Sequence, residues 1–239
     1  MNDIDRLSEA IKLSRRVCVF TGAGISCPSG IPDFRSAGGL YSQPGLEGYA
    51  PEQIISHDFF INNNNLFYKF YKAKLIFPEA KPNAAHKYFA NLESLNKKVS
   101  VVTQNIDGLH QAAGSTEVFE LHGSAARNYC LNCNKFYDLN YIINADNIPR
   151  CDCGGIIKPD VVLYSENLNP GIVNSAIKAI SSADLLIIVG TSLTVNPAAS
   201  YINYFQGDNM AIINKDKSAR DFLAQTVIYG DVAEVVKEL

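Results

Sequence analysis

Short apolar runs recur along the chain, and each ends on small or polar residues. Arg16-Val17-Cys18-Val19-Phe20 leads into Thr21-Gly22-Ala23-Gly24, and Val99-Ser100-Val101-Val102-Thr103 into Gln104-Asn105. Asp160-Val161-Val162-Leu163-Tyr164 follows Lys158-Pro159. Leu185-Leu186-Ile187-Ile188-Val189 ends in Gly190-Thr191-Ser192, Met210-Ala211-Ile212-Ile213 in Asn214, and Gln225-Thr226-Val227-Ile228-Tyr229 in Gly230-Asp231. The runs do not alternate apolar with polar residues, so strands formed by them are covered on both faces. Helical patterns lie between them, over Asp3 to Ser14, Asn83 to Leu95, Asn169 to Ser181, Asn196 to Phe205 and Asp231 to Leu239. An Asn with a nearby Pro opens three of these, and Asp231 suits a cap. Strands alternating with helices predict an α/β fold: a doubly wound, Rossmann-like parallel sheet whose ligands bind beyond the carboxyl ends of the strands.

Two segments break the pattern. Pro32 to Asp58 is rich in Gly, Ser and Pro, and reads as a functional loop without regular structure. Gly123 to Ile157 lacks core-forming periodicity and holds Cys130, Cys133, Cys151 and Cys153. It reads as a small inserted zinc-binding domain. A chain of 239 residues with 47% hydrophobic residues can bury one substantial core around such an insertion. The net charge of -3 gives no basic field for nucleic acid or an anionic membrane. The polar start, Met1 to Ala10, carries no signal-like apolar stretch, so a cytoplasmic protein is expected.

In a reducing cytosol, closely spaced cysteines read as metal ligands. Four thiolates suit tetrahedral zinc and leave no open position, which makes the metal structural. Cys151 and Cys153 are separated by one residue where two to four are usual, and this predicts a strained or incompletely filled site. Cys18, inside an apolar run, reads as a small buried core residue.

The strand-end loops carry the remaining chemistry. Gly22-Ala23-Gly24 fits close approach of the backbone to a pyrophosphate, and fits a tight turn without a ligand as well. Asp33-Phe34-Arg35 can offer a guanidinium to phosphate and an aromatic face to a ring, or form a surface ion pair. Gln104-Asn105-Ile106-Asp107 suits recognition of an amide and of ribose hydroxyls, while Asn105 or Asp107 also suits a helix cap. His122, before Gly123, can act as a general base near neutral pH or serve structure alone.

Taken together the motifs resemble the sirtuins, in order and from about Arg16 to Val232. Thr21-Gly22-Ala23-Gly24-Ile25-Ser26 comes first, then Gly30-Ile31-Pro32-Asp33-Phe34-Arg35, then Thr103-Gln104-Asn105-Ile106-Asp107-Gly108-Leu109-His110. Glu120-Leu121-His122-Gly123, the four cysteines, Lys158-Pro159-Asp160-Val161-Val162, Gly190-Thr191-Ser192-Leu193 and Ile213-Asn214 follow. The short flanks resemble those of compact bacterial members.

The resemblance implies an NAD-dependent protein lysine deacylase; a monomer is the expected state. It implies a single catalytic domain over 1–239. Residues 1–33, 80–122 and 158–239 form a large NAD-binding part, 123–157 the zinc module, and 34–79 a cofactor-binding loop with a helical segment. NAD contacts fall on Gly22, Ala23, Gly24, Cys27, Asp33, Phe34, Arg35, Gln104, Ile106, Asp107, His122, Gly190, Thr191, Ser192, Asn214 and Val232. Cys27 stands where relatives often have Thr. Asn105 would orient the ribose and a water, and His122 would deprotonate a ribose hydroxyl. An acyl-lysine segment of a protein would lie against Val161, Val162, Leu163 and Tyr164, and near Gly190 to Val195. The products are free lysine, nicotinamide and O-acyl-ADP-ribose.

Two departures bear on substrate choice. Tyr164-Ser165-Glu166 stands where many relatives have Phe-Gly-Glu. Members that prefer dicarboxylic acyl groups carry Tyr-x-x-Arg, and this chain has Tyr68-Lys69-Phe70-Tyr71. Neutral acyl groups are therefore expected to be preferred. A mono-ADP-ribosyltransferase on the same scaffold is the alternative activity. An oxidoreductase would need an acidic residue about 20 positions beyond the Gly-rich turn, at a strand end, and none is found there. A non-catalytic zinc-ribbon binding module is a further alternative; the net acidity and the absence of a Lys/Arg cluster beside the cysteines argue against nucleic acid as its partner.

Overall fold

The computed structural model describes residues 2–239. Its strands are β1 (Arg16–Thr21), β2 (Lys98–Thr103), β3 (Val118–Glu120), β4 (Gly123–Cys130), β5 (Phe136–Tyr137), β6 (Ile157–Val161), β7 (Leu185–Val189), β8 (Asn209–Asn214) and β9 (Thr226–Tyr229). The α-helices are α1 (Asp3–Leu13), α2 (Pro51–Ile54), α3 (His57–Asn62), α4 (Asn64–Lys74), α5 (Ala84–Asn91), α6 (Leu109–Ala112), α7 (Leu139–Asn144), α8 (Pro170–Ser182) and α9 (Val232–Val235).

Six strands form one sheet in the order β3-β2-β1-β7-β8-β9, and every neighbouring pair is parallel. The chain winds outward from β1 in one direction and from β7 in the other. The switch point therefore lies between β1 and β7, where a ligand crevice is expected. Alternate residues of one strand feed different layers. Val17 and Val19 pack with α1, α5 and α9, while Cys18 and Phe20 pack with α8 and the 199–202 segment. All five side chains of β7 are buried. Each stabilises the fold by about 1.5–3 kcal/mol, against about 1 kcal/mol for a helix cap, so the apolar runs dominate this part of the architecture. Cys18 is fully buried, and desolvation pushes its thiol pKa up.

A second sheet, β5-β4-β6, is antiparallel. The segment 160–164, expected as a strand of the main sheet, enters this one instead through β6. The reason is visible in Ile157-Lys158-Pro159-Asp160-Val161, whose odd residues are buried and even residues partly exposed. That alternation belongs to a sheet covered on one face. The small sheet shares an aromatic core with α2, α3 and α4, built from Phe60, Phe67, Tyr68, Tyr71, Tyr137 and Ile142.

Three other expectations shift. The helix expected from Asn196 is a 3-10 segment over Ala198–Tyr204. The one expected to run to Leu95 leaves α geometry after Asn91, continues as 3-10 turns, and stops at Asn96 in the left-handed region. The stretch from Pro32 to Asp58 contains a 3-10 turn over Leu40–Ser42, all of α2 and the start of α3. The caps at Asn83, Asn169 and Asp231 form as their sequence positions suggest. Among the described residues, no helix is long and apolar enough to cross a membrane.

His86 on α5 and His110 on α6 are buried against each other, with ring centroids 4.9 Å apart. Burial lowers the pKa of His86 to about 4; burial and then the facing ring lower that of His110 to about 3. The unfolded chain, with values near 6.5, takes up these protons first. Stability from this pair is complete above about pH 6.5 and is lost progressively as pH falls through the folded values. The Tm should drop as pH is lowered from 6.5 to 4. His86→Leu, which removes two unpartnered nitrogens, should keep the neutral-pH Tm and flatten that dependence; thermal melts across the range measure both.

Candidate active site

At the carboxyl end of β1, Gly22 leads into a 3-10 turn over Ala23–Ser29 rather than an α-helix. The N–H of Gly22 donates to Val189 O at 3.0 Å, and that of Gly24 to Gly190 O at 2.8 Å. A Cβ on Gly22 would lie 2.7 Å from Thr191 Cβ, and one on Gly24 2.7 Å from Gly190 Cα. Both glycines are thus required for contact between the β1 and β7 loops, a reason that stands whether or not a phosphate lies nearby.

The β2 loop closes over the same point. Gln104 N–H donates to Thr21 O at 3.0 Å, and its side chain donates to Thr191 Oγ1 at 3.1 Å. The Asn105 amide donates to Gly22 O and to Ser26 Oγ, each at 3.1 Å. Asp107 accepts from Ser26 Oγ at 2.7 Å and from the N–H of Leu109, the first residue of α6, at 2.9 Å. Burial raises its pKa above the ordinary carboxyl range, against the pull of these bonds. Ile106 packs on the edge of the aromatic core, and its carbonyl accepts from Ala125 N–H at 3.0 Å.

Asn214 is committed to the β7 loop. It accepts from Thr191 N–H and donates to Thr191 O, each at 3.0 Å. Ser192 Oγ pairs with Thr194 Oγ1 at 2.8 Å. Val232 buries its side chain in the core layer under the sheet. In the β1–α2 segment the Asp33–Arg35 ion pair is not formed. The Asp33 carboxylate instead accepts from the N–H groups of Arg35 and Ser36, at 3.0 and 2.8 Å. Arg35 lies over the Tyr41 ring at 5.5 Å, and Phe34 meets the same ring edge-on. The Cys27 thiol sits 3.9 Å from Asp33 Oδ2, and desolvation, then that carboxylate, raise its pKa.

His122 stands between β3 and β4, where the two sheets meet. Its Nδ1 lies 2.8 Å from Gln104 O. A carbonyl only accepts, so Nδ1 carries the proton and Nε2 keeps its lone pair. Burial lowers the His122 pKa more than the Gln104 bond raises it, so the ring is neutral near pH 7. Gly123 follows at φ +75°, and a Cβ there would fall 1.9 Å from Asp160 O. His122 O accepts from Val162 N–H at 3.0 Å, which ties the residue to the 161–164 segment.

That segment is held on both sides. Tyr164 N–H donates to Ile55 O, and Tyr164 O accepts from His57 N–H, both at 3.0 Å. The Tyr164 hydroxyl meets that of Tyr41 at 2.5 Å. Ser165 occupies the left-handed region at φ +70°, where a side chain costs about 1–2 kcal/mol and glycine does not. Glu166 was not singled out from the sequence. It accepts from Leu163 N–H at 2.9 Å, His57 Nδ1 at 2.9 Å and Lys158 Nζ at 3.0 Å. Burial favours its neutral form, but these three donors together lower its pKa. Ser26, which joins Asn105 to Asp107, and Tyr41 were missed as well. Ser26 lay in view inside the Gly-rich motif.

Away from the crevice, the sulfurs of Cys130, Cys133, Cys151 and Cys153 all lie within 4.8 Å of one another. The Cys130–Cys153, Cys133–Cys151 and Cys133–Cys153 separations are 3.5, 3.4 and 3.5 Å. Zinc bonds of about 2.3 Å place tetrahedral sulfurs about 3.8 Å apart, so these four donors fit the ion. The one-residue gap does not prevent clustering. Gly154, at φ +83°, donates to Cys151 O at 2.8 Å and turns Cys153 back toward the others.

A doubly wound sheet, a strand-end crevice with a neutral histidine, and a separate four-cysteine site define a nucleotide-site enzyme scaffold with a metal-braced second lobe. Residues 22–197 match the Sir2 family, and the chain belongs to that family. It is 52% identical over 235 residues to the NAD-dependent protein deacetylase of Clostridium perfringens, covering 98% of this chain and 96% of the relative. A Sir2 structure with a p53 peptide and NAD+ superposes with a TM-score of 0.85 at 37% identity, covering 98% of this chain and 95% of the other. A second, a Sir2 variant with a deacetylated p53 peptide and 3'-O-acetyl-ADP-ribose, gives 0.89 at 37% identity, covering 100% of this chain and 97% of the other.

The purified protein should carry one zinc per chain by elemental analysis. Cys151→Ser should lower that content and the Tm together, because Cys151 belongs to the aromatic core as well as to the sulfur cluster.

Proposed function

We propose that this chain is an NAD-dependent protein lysine deacylase in which His122 is the general base. The observation that carries this reading is the His122 ring: neutral, oriented by Gln104 O, and left with a free Nε2 beside the crevice. NAD is a consumed substrate here. Cleavage of its nicotinamide–ribose bond leaves the anomeric carbon to the acyl oxygen of the modified lysine. Nε2 then takes the proton from a ribose hydroxyl, whose oxygen attacks the former acyl carbon. With one water consumed, the products are free lysine, nicotinamide and O-acyl-ADP-ribose.

The other assignments rest on position. Asn105, anchored through its Nδ2, presents its remaining amide face to the ribose and a water. Asp107 and Ile106 take the nicotinamide side. Gly22, Ala23, Gly24, Gln104, Gly190, Thr191 and Ser192 line the pyrophosphate and ribose path, with Cys27, Asp33, Phe34, Arg35, Asn214 and Val232 around it. The acylated segment lies against Val161, Val162, Leu163 and Tyr164. Residues 1–33, 80–122 and 158–239 form the NAD-binding part and 123–157 the zinc module, with 34–79 as the cofactor loop and helices. In this reading the metal is structural, since four thiolates leave no position for substrate. The protein works as a cytoplasmic monomer without nucleic acid or membrane as partner; a net charge of -3 supports excluding the first.

The aromatic core supports a preference for neutral acyl groups. Tyr68 donates to Ile157 O, and Tyr71 is fully buried. Lys72 and Lys74, the cations that follow Tyr71 at the arginine position of Tyr-x-x-Arg, donate to Ala145 O and to Gln43 Oε1, so neither is left to pair with a dicarboxylic acyl group.

Zinc-loaded protein given NAD and an acetyl-lysine peptide should release nicotinamide and O-acetyl-ADP-ribose in equal amounts. No nicotinamide with any acylated peptide would reject the reading. His122→Ala should lower kcat/KM by about 100-fold or more while NAD affinity stays within a few-fold. Acetyl-lysine peptides should turn over faster than succinyl-lysine peptides, and the reverse order would reject the proposed acyl preference.

A further inference from the structure

One buried polar relay has no part in the mechanism above. His110 is 1% exposed, and its Nε2 lies 3.0 Å from Thr21 Oγ1. Thr21 Oγ1 donates to Thr103 Oγ1 at 2.8 Å, and Thr103 Oγ1 also accepts from Asn105 N–H at 3.0 Å. Thr21 and Thr103 are the last, paired residues of β1 and β2, and both are buried. The relay thus runs from the core to the backbone of the residue assigned to orient the ribose.

His110 has no other polar partner that would explain an imidazole there. Its Nδ1 and both nitrogens of the adjoining His86 lack hydrogen bonds within the protein. An apolar ring would fill the space without desolvating unpartnered nitrogens. The single bond to the Thr21 hydroxyl is what distinguishes histidine from phenylalanine at this position. With the Thr21 proton directed to Thr103, Nε2 is the donor to Thr21. Burial keeps the ring neutral, so the relay in this direction takes His110 as the Nε2–H tautomer, the opposite of His122.

We propose that His110 is a positioning residue that sets Asn105 through the Thr21 and Thr103 hydroxyls; its catalytic consequence rests on the deacylase reading. The wild-type relay holds the strand-end backbone from behind, where no substrate reaches.

Two substitutions at His110 separate positioning from packing. His110→Phe keeps the ring volume and removes the donor, while His110→Gln keeps an Nε2 donor. His110→Phe should lower kcat by about tenfold or more with KM for NAD and acetyl peptide little changed, and His110→Gln should restore most of it. Thr21→Val should reproduce the loss without adding to that of His110→Phe. Unchanged kcat in His110→Phe, or losses in both His110 variants that simply follow Tm, would overturn the proposal. Nitrogen-15 NMR of the wild-type histidines tests the relay without any variant: a neutral Nε2–H ring at His110 is expected, and an Nδ1–H or protonated ring overturns it. A wild-type chain with no turnover would count against the deacylase reading alone, and the NMR result would still decide the relay.

Discussion

The site depends on two backbones meeting at the switch point. Gly24 donates to Gly190 O at 2.8 Å, and neither residue tolerates a Cβ where it stands. This contact brings the β1 and β7 loops together and gives the β2 loop a surface to close on. Gln104 then reaches Thr191, Asn105 reaches Gly22 O, and Asp107 is joined through Ser26. Gln104 O in turn sets the tautomer of His122. A chain of short-range constraints leads from close-packed glycines to the protonation state of one imidazole.

How far the sequence reveals this depends on how local each feature is. The run Leu185 to Val189 is apolar throughout and folds as the central strand β7. The run beginning at Asp160 looked similar, but the diagnostic alternation lies just upstream, over Ile157 to Val161, and assigns the strand to the second sheet. The four cysteines are legible because their chemistry is specific to metals, and their sulfurs converge despite the short Cys151–Cys153 spacing.

Site features that depend on contacts across the fold are less visible. Asn214 reads as a free amide at a strand end, yet both ends of that amide are bound to the Thr191 backbone. Asp33 and Arg35 read as a possible ion pair, yet the carboxylate turns back to its own loop. Glu166 gathers donors from His57, Lys158 and Leu163, a meeting that sequence separation conceals. His122 has no local motif that distinguishes a base from a structural histidine. The family pattern singled it out, and the Gln104 carbonyl supplies the physical reason.

The aromatic core has a further consequence. Cys130 and Cys151 belong to the same cluster as α2, α3 and α4, and Phe34, Tyr41 and Ile106 rest on its edge. Packing through one apolar cluster, and not a shared ligand, therefore joins the sulfur site to the loop that carries Arg35.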